Sequence, residues 1–146
     1  MIREAKQHDI PAVRAIMESE PGFWQADWRT DVLERALAAA GGLAFVAVEN
    51  EEIVGVVCGH DLGFRAYLSG LVVAGAHRGQ GIGAQLLAHM ESALASRGCA
   101  ILISDVWKSA RGFYESMGWS PPDVSLLRKR LVNGTSQPTA GGGGGR

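Results

Sequence analysis

The chain has 146 residues, enough for one domain with a substantial core and too few for two comfortable ones. Lys plus Arg total 14 and Asp plus Glu 15, a balance that gives no electrostatic reason to expect a nucleic-acid or anionic-membrane partner. The N-terminus lacks the basic-then-apolar layout of a secretion signal and no apolar run approaches bilayer-spanning length, so a cytoplasmic protein is the expectation.

In chain order, Ile2 to Ala5 suits a short edge strand. Asp9 is placed to cap a helix that tolerates Pro11 in its first turn and buries Ile10, Val13, Ile16 and Met17, and Pro21-Gly22 ends it. A second helix is predicted from Thr30 or Asp31, where Asp31 and Glu34 have capping-box spacing, to Gly41-Gly42. Between the two lies Phe23-Trp24-Gln25-Ala26-Asp27-Trp28, whose Trp24 and Trp28 either wall a substrate pocket or plug the helices onto a sheet. Leu43–Glu49 and Ile53–Gly59 read as strands joined by a polar turn, and Asp61–Arg65 connects to a third, Tyr67–Val73. Cys58 and Cys99 sit in apolar segments as free, buried thiols, and no metal site is indicated.

After Val73 a short link leads into Arg78-Gly79-Gln80-Gly81-Ile82-Gly83-Ala84 and then a helix whose Ile82, Leu86, Leu87, Met90 and Leu94 share one face. Arg97-Gly98 ends it, and Ala100–Ile103 reads as a buried strand. Ser109 opens a short helix with Ala110, Phe113 and Met117 on one face and Gly118 as its stop. Val124–Val132 is predicted as a last strand with Arg128, Lys129 and Arg130 on a solvated edge. Residues 133–146, rich in glycine, are expected to be a flexible tail or an appended remnant, which leaves residues 1–132 as the domain. The order of elements implies an α/β protein with a mixed sheet: an antiparallel meander, then a right-handed parallel strand–helix–strand crossover.

Three glycines at alternate positions, led by Arg78, exceed what a tight turn needs. They let a ligand approach the main chain where the first amides of a helix are unpaired and its dipole is positive, which suits a phosphate. No Lys-Ser or Lys-Thr follows, as a nucleoside-triphosphate loop requires, and the spacing is not the dinucleotide Gly-x-Gly-x-x-Gly.

The segment instead resembles the acetyl-coenzyme A signature of the GNAT superfamily of N-acetyltransferases, Arg/Gln-x-x-Gly-x-Gly/Ala, with Arg78, Gly81 and Gly83 filling it and Leu71-Val72-Val73 as the preceding strand. Phe113-Tyr114-Glu115-Ser116-Met117-Gly118-Trp119 is similar to the family's Phe-Tyr-x-x-x-Gly-Phe segment. Both motifs fall in order over roughly Met1 to Val132. The resemblance implies the GNAT fold, a mixed sheet whose fourth and fifth strands splay apart to admit the pantetheine arm. It implies that Arg78, Gly79, Gln80, Gly81, Ile82, Gly83 and Ala84 hold the pyrophosphate of acetyl-coenzyme A (acetyl-CoA), and that backbone groups of Leu71, Val72 and Val73 follow the pantetheine and thioester. Gly70 is the expected site of a bulge that frees such groups. Where many relatives carry an Asn before the tyrosine this chain has Trp107, so Ser109 is expected to supply that contact. Dimers are common in the family, and a homodimer is an open expectation.

Acetyl transfer to an amine requires loss of a proton from the amine, stabilisation of the carbonyl oxygen and protonation of the departing thiolate. The resemblance assigns Tyr114 as the acid. No Glu stands between Arg65 and Val73, so the base falls to Asp61 as the first candidate, with His60, Asp27, Glu20 or a water chain as others. The expected activity is direct transfer, in a ternary complex, to a primary amine on a small molecule, a protein N-terminus or a lysine. A degenerate acyl-CoA-binding sensor or assembly module is the alternative.

Overall fold

The computed structural model describes residues 1–132, and the expected tail lies outside the described residues. Strands β1 (Ile2–Glu4), β2 (Ala44–Glu49), β3 (Glu52–Asp61), β4 (Ala66–Val73) and β5 (Leu102–Ile103) form one sheet in that spatial order. Pairing is antiparallel from β1 to β4 and parallel between β4 and β5, as the order of elements requires. Asn50 and Glu51 both take positive φ (50° and 65°), the geometry that closes the two-residue β2–β3 turn with the right twist.

Three helices hold the faces of the sheet. A side chain at Gly55 or Gly59 would run into Ile82, Leu86 and Met90, so that face of β3 lies against α3 (Ile82–Ser96). A side chain at Gly70 would instead meet Met17 and Phe23, on the side of α1 (Ile10–Ser19) and α2 (Val32–Ala40). The α3 stripe is buried at Ile82, Leu86, Leu87, Met90 and Leu94, each worth about 1.5–3 kcal/mol of apolar transfer. A last short helix, α4 (Arg111–Ser116), follows β5.

Two readings of the C-terminal part are corrected. The strand expected at Ala100–Ile103 is reduced to the pair Leu102–Ile103, with Ile101 56% exposed. Val124–Val132 is not a strand: β5 offers too short an edge to template one, and Leu126, Leu127 and Leu131 lie exposed while Arg130 pairs with Asp27.

Asp9 also differs from expectation. Its carboxylate does not cap α1; it accepts from Lys6 N–H at 2.7 Å and takes both arms of the Arg3 guanidinium at 2.8 Å, pinning β1 to the start of α1. The Arg3 hydrogen bond holds this buried carboxyl down to about 2. Because the folded value lies below the ordinary carboxylate value, the contribution is complete above about pH 4 and fades as pH falls towards 2. Asp9→Asn is therefore expected to lower stability by about 1–2 kcal/mol at pH 7, a figure reduced for the solvent-facing Arg3. Urea unfolding against pH checks this: the gap between variant and wild type should close in acid.

Candidate active site

The glycine turn forms one wall of a cleft of about 490 Å³ lined by Leu71, Val72 and Val73 of β4, by Arg78, Gly79, Gly81, Ile82, Gly83 and Ala84, and by Ser109, Ala110 and Phe113. Gly79 and Gly81 adopt φ of 78° and 79°, which a side chain would strain, and the space over each is open. No side chain caps α3, so its first amides and its positive end face the cleft. Gly83 has ordinary φ but sits where a Cβ would stand 3.6 Å from Phe113 and 3.7 Å from Val73, between the two walls. Gln80 is exposed and does not line the cleft. Arg78 lines it while folding back: Nε donates to the Val73 carbonyl at 3.2 Å and the guanidinium pairs with Glu20, a buried carboxylate just beyond α1.

The cleft leads to a gap in the sheet. Among the described residues β5 pairs with β4 only at Ala66 and Tyr67, and two side-chain ties follow, Ser104 Oγ donating to Leu68 O at 2.8 Å and the Tyr67 hydroxyl donating to Asp105. Beyond these ties the two chains part, which leaves the β5-facing main chain of β4 from Gly70 to Val73 without a strand neighbour on that side. Register explains the shape of β4 here. Cys58 pairs with Gly70 and Gly59 with Leu68, so the bulge falls on Ser69, one residue before the expected Gly70.

That bulge gathers a polar cluster on the α1/α2 face that pattern reading did not assemble. Ser69 Oγ lies 2.8 Å from His60 Nε2 and 3.2 Å from the Cys58 carbonyl, and Cys58 Sγ is 3.7 Å from the same ring nitrogen. Two residues along β4, the Tyr67 hydroxyl donates to Asp105, just after β5. Burial, with the Asp105 carboxylate adding to it, pushes the Tyr67 phenol well above its ordinary range. Burial likewise raises the Cys58 thiol, which keeps it protonated and unreactive. The signal in the sequence was the alternation Tyr67-x-Ser69 in an otherwise apolar strand.

Tyr114 is 2% exposed and packs edge-on against Phe113 and Trp119. It does not line the glycine cleft; it shares a depression with Ser104 and Val106, the residues at which the chain departs from β4. Its hydroxyl is buried and makes no hydrogen bond among the described residues, and burial lifts its pKa well above the ordinary phenol value. An orphaned hydroxyl of this kind costs roughly 1–3 kcal/mol unless another group answers it. Trp107 is buried against Phe23 at 6.1 Å between ring centres, so it closes the far side of the gap with packing.

The remaining candidates separate. Asp61 ends β3 opposite Ala66, at the far end of β4 from Val73, and its carboxylate accepts from Gly63 N–H at 2.9 Å in a surface turn. Asp27 pairs with Arg130. Trp28 lines a second, mostly apolar cavity on the α1/α2 face, whereas Trp24 packs edge-on against Trp28 and under the Arg14 guanidinium without lining it. Among the described residues no three His, Cys, Asp or Glu side chains come together to hold a metal ion, and no helix is long and apolar enough to cross a membrane.

The acetyltransferase (GNAT) family model matches residues 10–119. An acetyltransferase of Pectobacterium atrosepticum is 34% identical over 138 residues, covering 90% of this chain and 95% of the relative. Among solved structures, a transcriptional regulator from Bacillus halodurans superposes with TM-score 0.73 at 24% identity, covering 89% of this chain and 99% of the other. Arabidopsis thaliana Naa50, in complex with the bisubstrate analogue CoA-Ac-MVNAL, superposes with TM-score 0.70 at 19% identity and 84% coverage of each chain. At these identities the two structures establish a shared fold.

Proposed function

The chain belongs to the acetyltransferase (GNAT) family, and on that premise we propose that it transfers an acetyl group from acetyl-CoA directly to a primary amine within a ternary complex. The observation that carries the reading is the parting of β4 from β5 beside an uncapped helix start, with a cluster of proton-handling side chains on the same strand at Tyr67 and Ser69. The residues fit the cofactor on their own chemistry. Open space over Gly79 and Gly81 and the positive end of α3 suit a pyrophosphate, and Leu71–Val73, with the Val73 carbonyl taken by Arg78, offers a strand edge with no neighbouring strand to an extended amide-bearing arm. Ser109, at the opposite lip, is positioned to contact that arm. When bound, acetyl-CoA supplies an acetyl group already activated as a thioester.

The protein's own groups then handle protons. An amine of pKa about 10 arrives protonated at neutral pH and must lose a proton before it attacks. We assign its removal to His60 acting through Ser69, a residue that lines the cavity and whose Oγ lies 2.8 Å from Nε2 and 3.2 Å from the Cys58 carbonyl. The Tyr67 oxygen, its proton committed to Asp105, offers the amine a second acceptor. Asp61, turned into a surface turn, is set aside as base. The Tyr114 hydroxyl is the acid for the leaving thiolate: it is neutral, buried and unpartnered beside the gap. No acetyl-enzyme is needed, because amine and thioester meet across β4. In the Naa50 structure a bisubstrate analogue, CoA-Ac-MVNAL, occupies that protein, which supports a peptide N-terminus among the acceptors.

The test is release of coenzyme A thiol together with mass-spectrometric detection of an acetylated amine. Stoichiometric appearance of both is expected. Binding of acetyl-CoA with no acetylated product across small amines, N-terminal peptides and lysine peptides would leave a cofactor-binding module instead.

A further inference from the structure

We propose that the acceptor is a monoamine carrying a bulky, uncharged apolar arm, and that the arm is seated in the cavity between α1, α2 and the sheet. The inference rests on the transferase reading and names the acceptor class for it. The cavity measures about 250 Å³, below the roughly 300–1,000 Å³ of drug-sized pockets and suited to a single side-chain-sized group. Its floor is the bulged part of β4, with Tyr67, Ser69 and Gly70, so an arm within it leaves its amine at the proton-handling cluster.

Its walls are mostly apolar, Lys6 and Asp9 excepted. Val13 and Met17 come from α1, Phe23 and Trp28 from the connector, Leu33 and Ala36 from α2. The sequence pattern of α2 predicts an apolar face against the sheet, yet Val32, Leu33, Ala36 and Leu37 are only half-buried and Ala40 alone is fully covered. Half-burial of this face leaves room between α2 and the sheet that its own side chains do not fill, a void that costs packing energy unless a ligand occupies it.

The charges nearby argue against a polycationic acceptor. Five carboxylates around the cavity and the connector are matched by an arginine, Asp9 by Arg3, Glu18 by Arg14, Glu20 by Arg78, Asp27 by Arg130 and Asp31 by Arg35, while Asp105 accepts from the Tyr67 hydroxyl and Glu34 of α2 is exposed to solvent. A second ammonium on the acceptor would enter apolar walls with its natural partners already engaged, at a large desolvation cost.

Two sources share this chemistry, an arylalkyl or branched alkyl amine and a peptide N-terminus beginning with a large apolar residue. Initial rates with saturating acetyl-CoA should be compared for 2-phenylethylamine, ethylamine, spermidine, and pentapeptides starting with Met, Leu or Asp. The expected result is kcat/KM at least about tenfold higher for an apolar-armed amine than for ethylamine or spermidine. Whichever apolar arm of the panel leads identifies the source. Ala36→Phe, which fills the cavity from an outer helix, should erase that preference, bringing the kcat/KM ratio of apolar-armed amine to ethylamine to about one, while acetyl-CoA affinity stays as in wild type; Val32→Phe is the second variant should the first misfold. Fluorine-19 line broadening of 2-(4-fluorophenyl)ethylamine reads occupancy without turnover and should vanish in the same variants. Acetylation without preference for apolar arms would overturn this inference and leave the transferase reading intact. Broadening that is absent in wild type, or unchanged by filling the cavity, would overturn it even if no amine is acetylated.

Discussion

Tyr114→Phe is expected to lower kcat by roughly 10²–10⁴-fold, the range for loss of a positioned general acid, while leaving acetyl-CoA affinity within about twofold of wild type. The same substitution should leave the melting temperature unchanged or raise it. The wild-type hydroxyl is buried among Phe113, Trp119 and the chain leaving β5, with no hydrogen-bond partner in the described protein. Deleting an unanswered polar atom removes a desolvation penalty and keeps the ring. A structural tyrosine would behave in the opposite way, with normal turnover and lost stability. Steady-state kinetics, calorimetric cofactor titration and a melting curve on one preparation separate the two. Turnover retained within a few-fold would remove Tyr114 from the chemistry.

His60→Gln carries the second large effect, a loss of about 10²-fold in kcat/KM at neutral pH. Glutamine keeps a hydrogen bond to Ser69 but cannot accept the proton, so folding and cofactor binding should persist. The deficit should shrink as pH approaches about 10, because the acceptor then loses its proton to solvent and no longer needs a base. A deficit constant across pH would mean that His60 only positions Ser69 and that the proton leaves by another route, with Tyr67 and Asp105 the next pair to test.

The glycine cleft was legible in the sequence because it is built from local chemistry. Glycine at 79 and 81 states a backbone conformation outright, and the α3 stripe that follows states where the helix begins. The same holds for the strand order, since hairpin turns and a helical crossover leave few topologies open. The pairing of His60 with Ser69 was not legible for a geometric reason. Neighbouring positions such as His60 and Asp61 point to opposite faces, whereas His60 meets Ser69 through cross-strand register and a one-residue bulge that no local pattern announces. Nor does local pattern show that Val124–Val132 has no edge to join: its composition suits a strand, but β5 ends after two residues. Asp9 misled in a similar way, because an N-cap and a buried partner for Arg3 ask for the same residue type.

Calorimetric titration with acetyl-CoA of wild type and Gly83→Glu bears most directly on the cradle. Gly83 has no positive φ, so the variant backbone is unstrained, and its carboxylate would project between Val73 and Phe113 where the pyrophosphate is to lie. Wild type should bind in the micromolar range or tighter, with affinity falling at least about 100-fold in a variant that melts normally, as expected for a buried like charge against phosphate. Equal affinity in both proteins, or no binding by folded wild type, would contradict the cradle and with it the acetyltransferase mechanism built on it.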